Sequence, residues 1–108
     1  ENQKVTALAE GMVVSNEPGY YAAGQFGIRH ENLVLVRTGD KTEFGQFMYL
    51  EPLTMVPFDR DAIDVSLLTE SELALLNDYH KLVYDTVSPL LGAEEQAWLA
   101  QATAPLCR

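Results

Sequence analysis

The stretch Ile28-Arg-His-Glu-Asn-Leu-Val-Leu-Val-Arg-Thr38 decides the fold class. Its apolar residues fall on both parities, Leu33 and Leu35 on one and Val34 and Val36 on the other, which predicts a strand buried on both faces. Downstream, Thr38-Gly39-Asp40-Lys41 predicts a turn, residues 44–50 a further strand with Phe47 and Tyr49 opposed to Met48 and Leu50, and residues 53–57 a short last one. Upstream, Met12-Val13-Val14 lies between Gly11 and Pro18 and predicts a short buried strand. Pro18 drives Glu17 into an extended conformation, and Pro18-Gly19 suits the two central positions of a type II turn. Residues 20–27, with two tyrosines, two glycines and two alanines, read as a loop or a loose hairpin connection. Strands joined by such short connections favour an antiparallel sheet. Glu17 stands at the lip of one strand and Glu31 near the start of the next.

After Asp64 the hydrophobic period changes from two to 3.6. Thr69 with Glu72 three residues on is a capping box, and Leu73, Leu76, His80, Val83 and Val87 follow at helical spacing, with Leu75, Tyr79 and Leu82 widening the stripe. This predicts a helix over 70–87. Ser88-Pro89 ends it or begins the next segment, and residues 93–102, carrying Trp98 and Leu99, form a second, shorter helix closed by Pro105. The fold class expected is α+β, an antiparallel sheet followed by two C-terminal helices, in one domain with the sheet over 1–57 and the helical part over 58–108.

The chain has 108 residues, 47% hydrophobic, with 16 acidic against 7 basic side chains for a net charge of −9. Nine of the acids and three of the bases follow Pro57, so both halves are acidic, and a basic nucleic-acid footprint is missing. No apolar run approaches the roughly 18 residues of a membrane span. The single cysteine, Cys107, rules out an internal disulfide and a multi-cysteine zinc site and fits a reducing, cytoplasmic compartment. Because it begins at Glu1, the chain reads as a piece of something longer.

Two carboxylates invite a chemical reading. Glu17 and Glu31 present the hard oxygens that a cation such as Mn²⁺ or Mg²⁺ prefers, and converging from adjacent strands they would supply part of a metal site. Strand parity puts Arg29 on the face of Glu31 and His30 on the other. Arg29 can then grip and orient a carboxylate, or form an ordinary cross-strand ion pair. His30 reads as structural or surface, His80 as a hydrogen-bonded packing residue, Trp98 as a core anchor. Tyr20, Tyr21 and Phe26 read as either pocket lining or cross-strand packing. A phosphate loop, a Cys/His nucleophile arrangement and a Gly-x-Ser-x-Gly elbow are all absent.

The string Gly11-Met-Val-Val-Ser-Asn-Glu-Pro-Gly-Tyr-Tyr21, with Phe26-Gly-Ile-Arg-His-Glu-Asn-Leu33, resembles the C-terminal part of aminopeptidase P, the Xaa-Pro aminopeptidases of the pita-bread metallopeptidase family. The resemblance runs on through Phe44-Gly-Gln-Phe47, Glu51-Pro-Leu-Thr54, Asn77-Asp-Tyr-His80, Trp98-Leu99 and Thr103-Ala-Pro-Leu106. It implies a partial pita-bread fold and a parent enzyme that removes the N-terminal residue preceding proline, using two divalent metal ions, commonly Mn²⁺. Carried over, Glu17 would bind one metal and act as the proton shuttle, Glu31 would bridge both, and Arg29 would orient them; substrate-binding residues are unassigned. His30 stands where the family more often has an aliphatic residue.

The two Asp and one His that complete the family's ligand set are missing, so the chain alone is expected to bind no metal pair and to be inactive. The rival reading is a non-catalytic dimerisation or interaction module. A homo-oligomer, formed through the sheet by uncovered Met12, Val14, Val34 and Val36, is the expected assembly, with proline-containing peptides as the parent's partners and neither nucleic acid nor membrane.

Overall fold

The computed structural model describes residues 4–108, which form two compact units, one up to Thr54 and one from Met55 onward. The first is all β: β1 (Val13–Asn16), β2 (Gly19–Ala22), β3 (Phe26–Arg29), β4 (Asn32–Thr42) and β5 (Gly45–Pro52). Strands β1, β4 and β5 make an antiparallel sheet in that order, and β2 pairs with β3. Antiparallel strands followed by helices are the α+β arrangement the sequence predicts.

Several local expectations are corrected. Of the two readings of residues 20–27, the hairpin holds and the loop does not: β2 and β3 pair regularly, with a reversal at Ala22–Gln25 where the Gln25 amide donates to the Ala22 carbonyl at 3.0 Å and Gly24 takes φ +71°. Gly19 has no positive φ, so Pro18-Gly19 is not a type II turn. Thr38 to Lys41 is not a turn either. The strand runs on to Thr42, with Thr38 opposite Met48 but Lys41 opposite Gln46, so β4 holds one extra residue in a bulge. The Gln46 amide plugs that bulge, donating to the Gly39 carbonyl at 2.7 Å and the Phe47 carbonyl at 3.0 Å. The chain reverses instead at Glu43-Phe44, where Thr42 Oγ1 accepts from the Phe44 amide and Gly45 takes φ +128°. Residues 53–57 are not a strand; Leu53 donates once to the Leu33 carbonyl and the ladder stops.

Burial on β4 is one-sided. Val34 and Val36 are buried, whereas Leu33 is 46% exposed and Leu35 lies between. The expectation that Val34 and Val36 lack cover is thus overturned. Their shared parity places both on the inner face; of the other two residues expected to lack cover, Met12 is exposed and Val14 half-buried, and the apolar groups left open also include Val13, Leu33 and, on edge strand β5, Phe47 to Leu50.

The second unit holds α1 (Glu70–Val87) and α2 (Ala93–Ala102), preceded by two 3₁₀ turns capped by Asp59 and Asp64. The Thr69–Glu72 capping box is complete: the Thr69 hydroxyl accepts from the Glu72 amide at 3.2 Å and the Glu72 carboxylate accepts from the Thr69 amide at 2.8 Å. These bonds hold the Glu72 carboxyl below its ordinary range. The buried stripe of α1 is narrow: His80 and Val83 are enclosed, while Leu75 at 69% exposure and Leu82 stay outside it. Trp98 is no core anchor. It is 64% exposed and lines an open concavity of about 440 Å³ with Phe58, Arg60 and Gln101, and the buried residue of α2 is its neighbour Leu99.

Polar side chains tie the C-terminal tail to this unit. Asn77 clamps Leu106 with two bonds, Nδ2 to its carbonyl at 3.0 Å and Oδ1 from its amide at 2.8 Å. Arg60 reaches the carbonyls of Gln101 and Pro105. His80 Nε2 accepts from the Phe58 amide at 3.0 Å, with the ring packed beside Phe58 and Tyr79.

Candidate functional site

The register of the first unit places the two glutamates. In β1 and β4, Val13 opposes Leu35 and Asn16 opposes Asn32; in β2 and β3, Gly19 opposes Arg29 and Tyr21 opposes Gly27. Both ladders follow one register, so residues 13–22 and 26–35 form a single long hairpin. Continuing that register sets Glu17 opposite Glu31 and Pro18 opposite His30. The ladder breaks there because proline has no amide to give; of the two bonds a regular pair would exchange, only His30 N–H to the Pro18 carbonyl is made, at 3.0 Å. The two carboxylates therefore face each other at the one interruption of an otherwise regular hairpin.

The alternation of a strand puts Ser15, Glu17, Gly19 and Tyr21 on one face with Gly27, Arg29, Glu31 and Leu33. The contacts follow that parity. Hydrogen bonds with the Ser15 hydroxyl and then with Glu31, aided by the charge of Arg29, hold the Glu17 carboxyl below its ordinary value against slight desolvation. Arg29 Nε donates to the Tyr21 hydroxyl at 3.0 Å, and that bond, followed by the charges of Tyr21, Glu17 and Glu31, raises the guanidinium further. His30 occupies the alternate parity. Glu17, Glu31 and Arg29 are thus brought together, all of them open to solvent.

The donor set suits a hard divalent cation: two facing carboxylates with an ionised Glu17 and a guanidinium held to one side. It is incomplete by itself. Among the described residues no group of three or more His, Cys, Asp or Glu side chains is placed to hold a metal. The residue that sequence reasoning missed is Tyr21, read as pocket lining or cross-strand packing although its hydroxyl is the partner of Arg29. Its signal was available in the parity it shares with Glu17, opposite a glycine.

Comparison with known proteins gives two adjoining family matches, the second of which takes in β5 as well as the helical unit. Residues 1–38 match the profile of metallopeptidase family M24, and residues 46–106 that of the C-terminal region of peptidase M24. A probable Xaa-Pro aminopeptidase P of Coprinopsis cinerea is 50% identical over 106 residues, 94% of this chain and 17% of that protein. Aminopeptidase P2 of Arabidopsis thaliana is 48% identical over 108 residues, 96% of this chain and 15% of that protein. The chain thus spans a small part of the curated relatives it matches. Among solved structures, the X-prolyl aminopeptidase of Caenorhabditis elegans, described as a cytosolic enzyme with a di-nuclear active site, superposes with a TM-score of 0.82 at 34% identity, over 92% of this chain and 17% of that one.

Proposed function

The chain belongs to metallopeptidase family M24, and on that premise we propose that it supplies the carboxylate half of a two-metal site for removing the residue that precedes proline at a peptide's N-terminus. The single observation that carries this reading is the opposition of Glu17 and Glu31 across the Pro18 interruption. Two divalent cations, Mn²⁺ being one of the hard ions that carboxylate oxygens suit, would supply Lewis acidity and an activated water when bound. Glu31 would bridge them. Glu17 would ligate one, and as an ionised carboxylate at neutral pH it can take up the proton released by the attacking water. Arg29, tethered by Tyr21, would act on the pair from beside it, through its charge. The remaining ligands, two Asp and a His in the family pattern, would come from sequence outside this region. A cytoplasmic setting is supported by the description of the worm enzyme and by the lone, exposed Cys107; among the described residues no helix is long and apolar enough to cross a membrane.

Paramagnetic broadening tests the site in this chain. Millimolar Mn²⁺ is expected to broaden the amide signals around Glu17 and Glu31 first, and Glu31→Gln to abolish that preference. Broadening spread evenly over the acids of residues 59–95 would count against the assignment.

The open apolar groups support a second element of the proposal, a homo-oligomer formed through the sheet. Leu33 and edge strand β5 expose apolar surface and unpaired backbone groups, which self-association covers. Sedimentation is expected to show a species heavier than 12.0 kDa that Leu33→Lys dissociates. A wild-type monomer at high concentration would refute it. Val34 is the wrong position for that test, since a charge there would enter a buried site.

A further inference from the structure

Gly19, which opens β2, and Gly27, inside β3, have no backbone need for glycine: positive φ is confined, among the described residues, to Gly11, Gly24 and Gly45. Glycine weakens a strand, so its presence at two positions of one short hairpin asks for a steric reason. That reason is the Tyr21 ring. A Cβ on Gly27, the cross-strand partner of Tyr21, would lie 2.8 Å from Tyr21 Cδ1, and a Cβ on Gly19 would lie 2.5 Å from the Tyr21 hydroxyl and 2.7 Å from Cζ. The ring therefore lies lengthwise over both glycines, and its hydroxyl arrives at the residue opposite Gly19, which is Arg29.

We propose that Gly19 and Gly27 are positioning residues, a bed without Cβ atoms that lays Tyr21 flat so that its hydroxyl holds Arg29 Nε away from the Glu17–Glu31 pair. The chemistry lies in what Arg29 would otherwise do. A guanidinium prefers to grip a carboxylate with two parallel N–H groups, and the side-on grip uses Nε. With Nε–H committed to Tyr21, that grip is blocked. Released, Arg29 would close on the two carboxylates and occupy, as a fixed cation, the oxygens a metal needs. Its consequence for metal binding rests on the reading of Glu17 and Glu31 as ligands; its consequence for Arg29 does not.

The two are separated by reading both in this chain. In wild type the Arg29 Nε–H proton is expected to be resolved by NMR, slow to exchange and close to the Tyr21 ring. Gly27→Ala should remove that signature and weaken the Mn²⁺ response at Glu17 and Glu31 at least threefold. Tyr21→Phe, which keeps the ring and the hairpin but deletes the hydroxyl, should do the same, so the test survives if Gly27→Ala fails to fold. In a Tyr21→Ala background there is no ring to displace, and adding Gly27→Ala should leave both readouts unchanged. An intact Arg29–Tyr21 signature in Gly27→Ala, or an effect of Gly27→Ala undiminished without the tyrosine ring, would overturn the proposal. If the Arg29 signature responds but wild type shows no Mn²⁺ preference for Glu17 and Glu31, the ligand reading fails and the positioning role stands.

Discussion

Given Mn²⁺ and peptides with proline in second place, the isolated chain is expected to release no N-terminal residue. Two carboxylates offer at most four oxygens, whereas a pair of divalent ions asks for about a dozen donors. No third ligating side chain joins Glu17 and Glu31 among the described residues. In a protein that carries this region together with the missing Asp and His ligands, turnover is expected, and Glu31→Gln should lower kcat/KM by about a thousandfold or more. The amide keeps the shape of the side chain but removes the charge that would bridge two cations. Glu17→Gln should fall nearly as far, because in the proposed roles it would lose both a ligand and the group that accepts a proton. Turnover by the isolated chain in a preparation free of any longer enzyme would refute the ligand argument, and full activity of Glu31→Gln would refute the bridging role.

The second large effect belongs to His80. Its ring is fully buried, and Nε2 accepts from a backbone amide, so the neutral imidazole carries its proton on Nδ1, which has no partner among the described residues. His80→Ala orphans the Phe58 amide, at about 1–3 kcal/mol, and opens a cavity beside Phe58 and Tyr79, at about 2 kcal/mol or more. A loss near 3 kcal/mol lowers the Tm of a unit this small by on the order of 15 °C.

The same ring makes stability depend on pH. Burial first, and the charge of Arg60 second, push its pKa below the ordinary 6.5. The folded state then binds fewer protons than the unfolded state, so the stability supplied by neutral His80 is complete above pH 6.5 and is lost as pH falls toward the lower folded value. Denaturant unfolding at pH 7.5 and pH 5.5 is expected to show this loss in wild type. His80→Gln, which offers Oε1 to the Phe58 amide but does not titrate, should flatten it. A wild-type stability independent of pH over that interval would show that the imidazole is not enclosed in solution.

What the sequence determined by itself was whatever depends on neighbours within a turn or two of chain. The capping box Thr69–Glu72 and the spacing Leu73, Leu76, His80, Val83 set α1 at 70–87, because those interactions close within four residues. The shared face of Arg29 and Glu31, with His30 on the other, was equally legible, since parity along a strand is local, whereas parity alone gave Glu17 and Glu31 no role. Tertiary structure decided everything that needs a distant partner. Whether Gly39-Asp40 turns or bulges depends on Gln46 reaching back to plug it, and whether residues 53–57 form a strand depends on a ladder that ends at Leu33. Leu75, Leu82 and Trp98 are as apolar as Val83 and Leu99, yet only the latter pair is covered, because periodicity names the candidates for burial and packing chooses among them. Tyr21 is the same lesson at the site: its hydroxyl finds Arg29 only because the hairpin register lays its ring over two glycines from opposite strands.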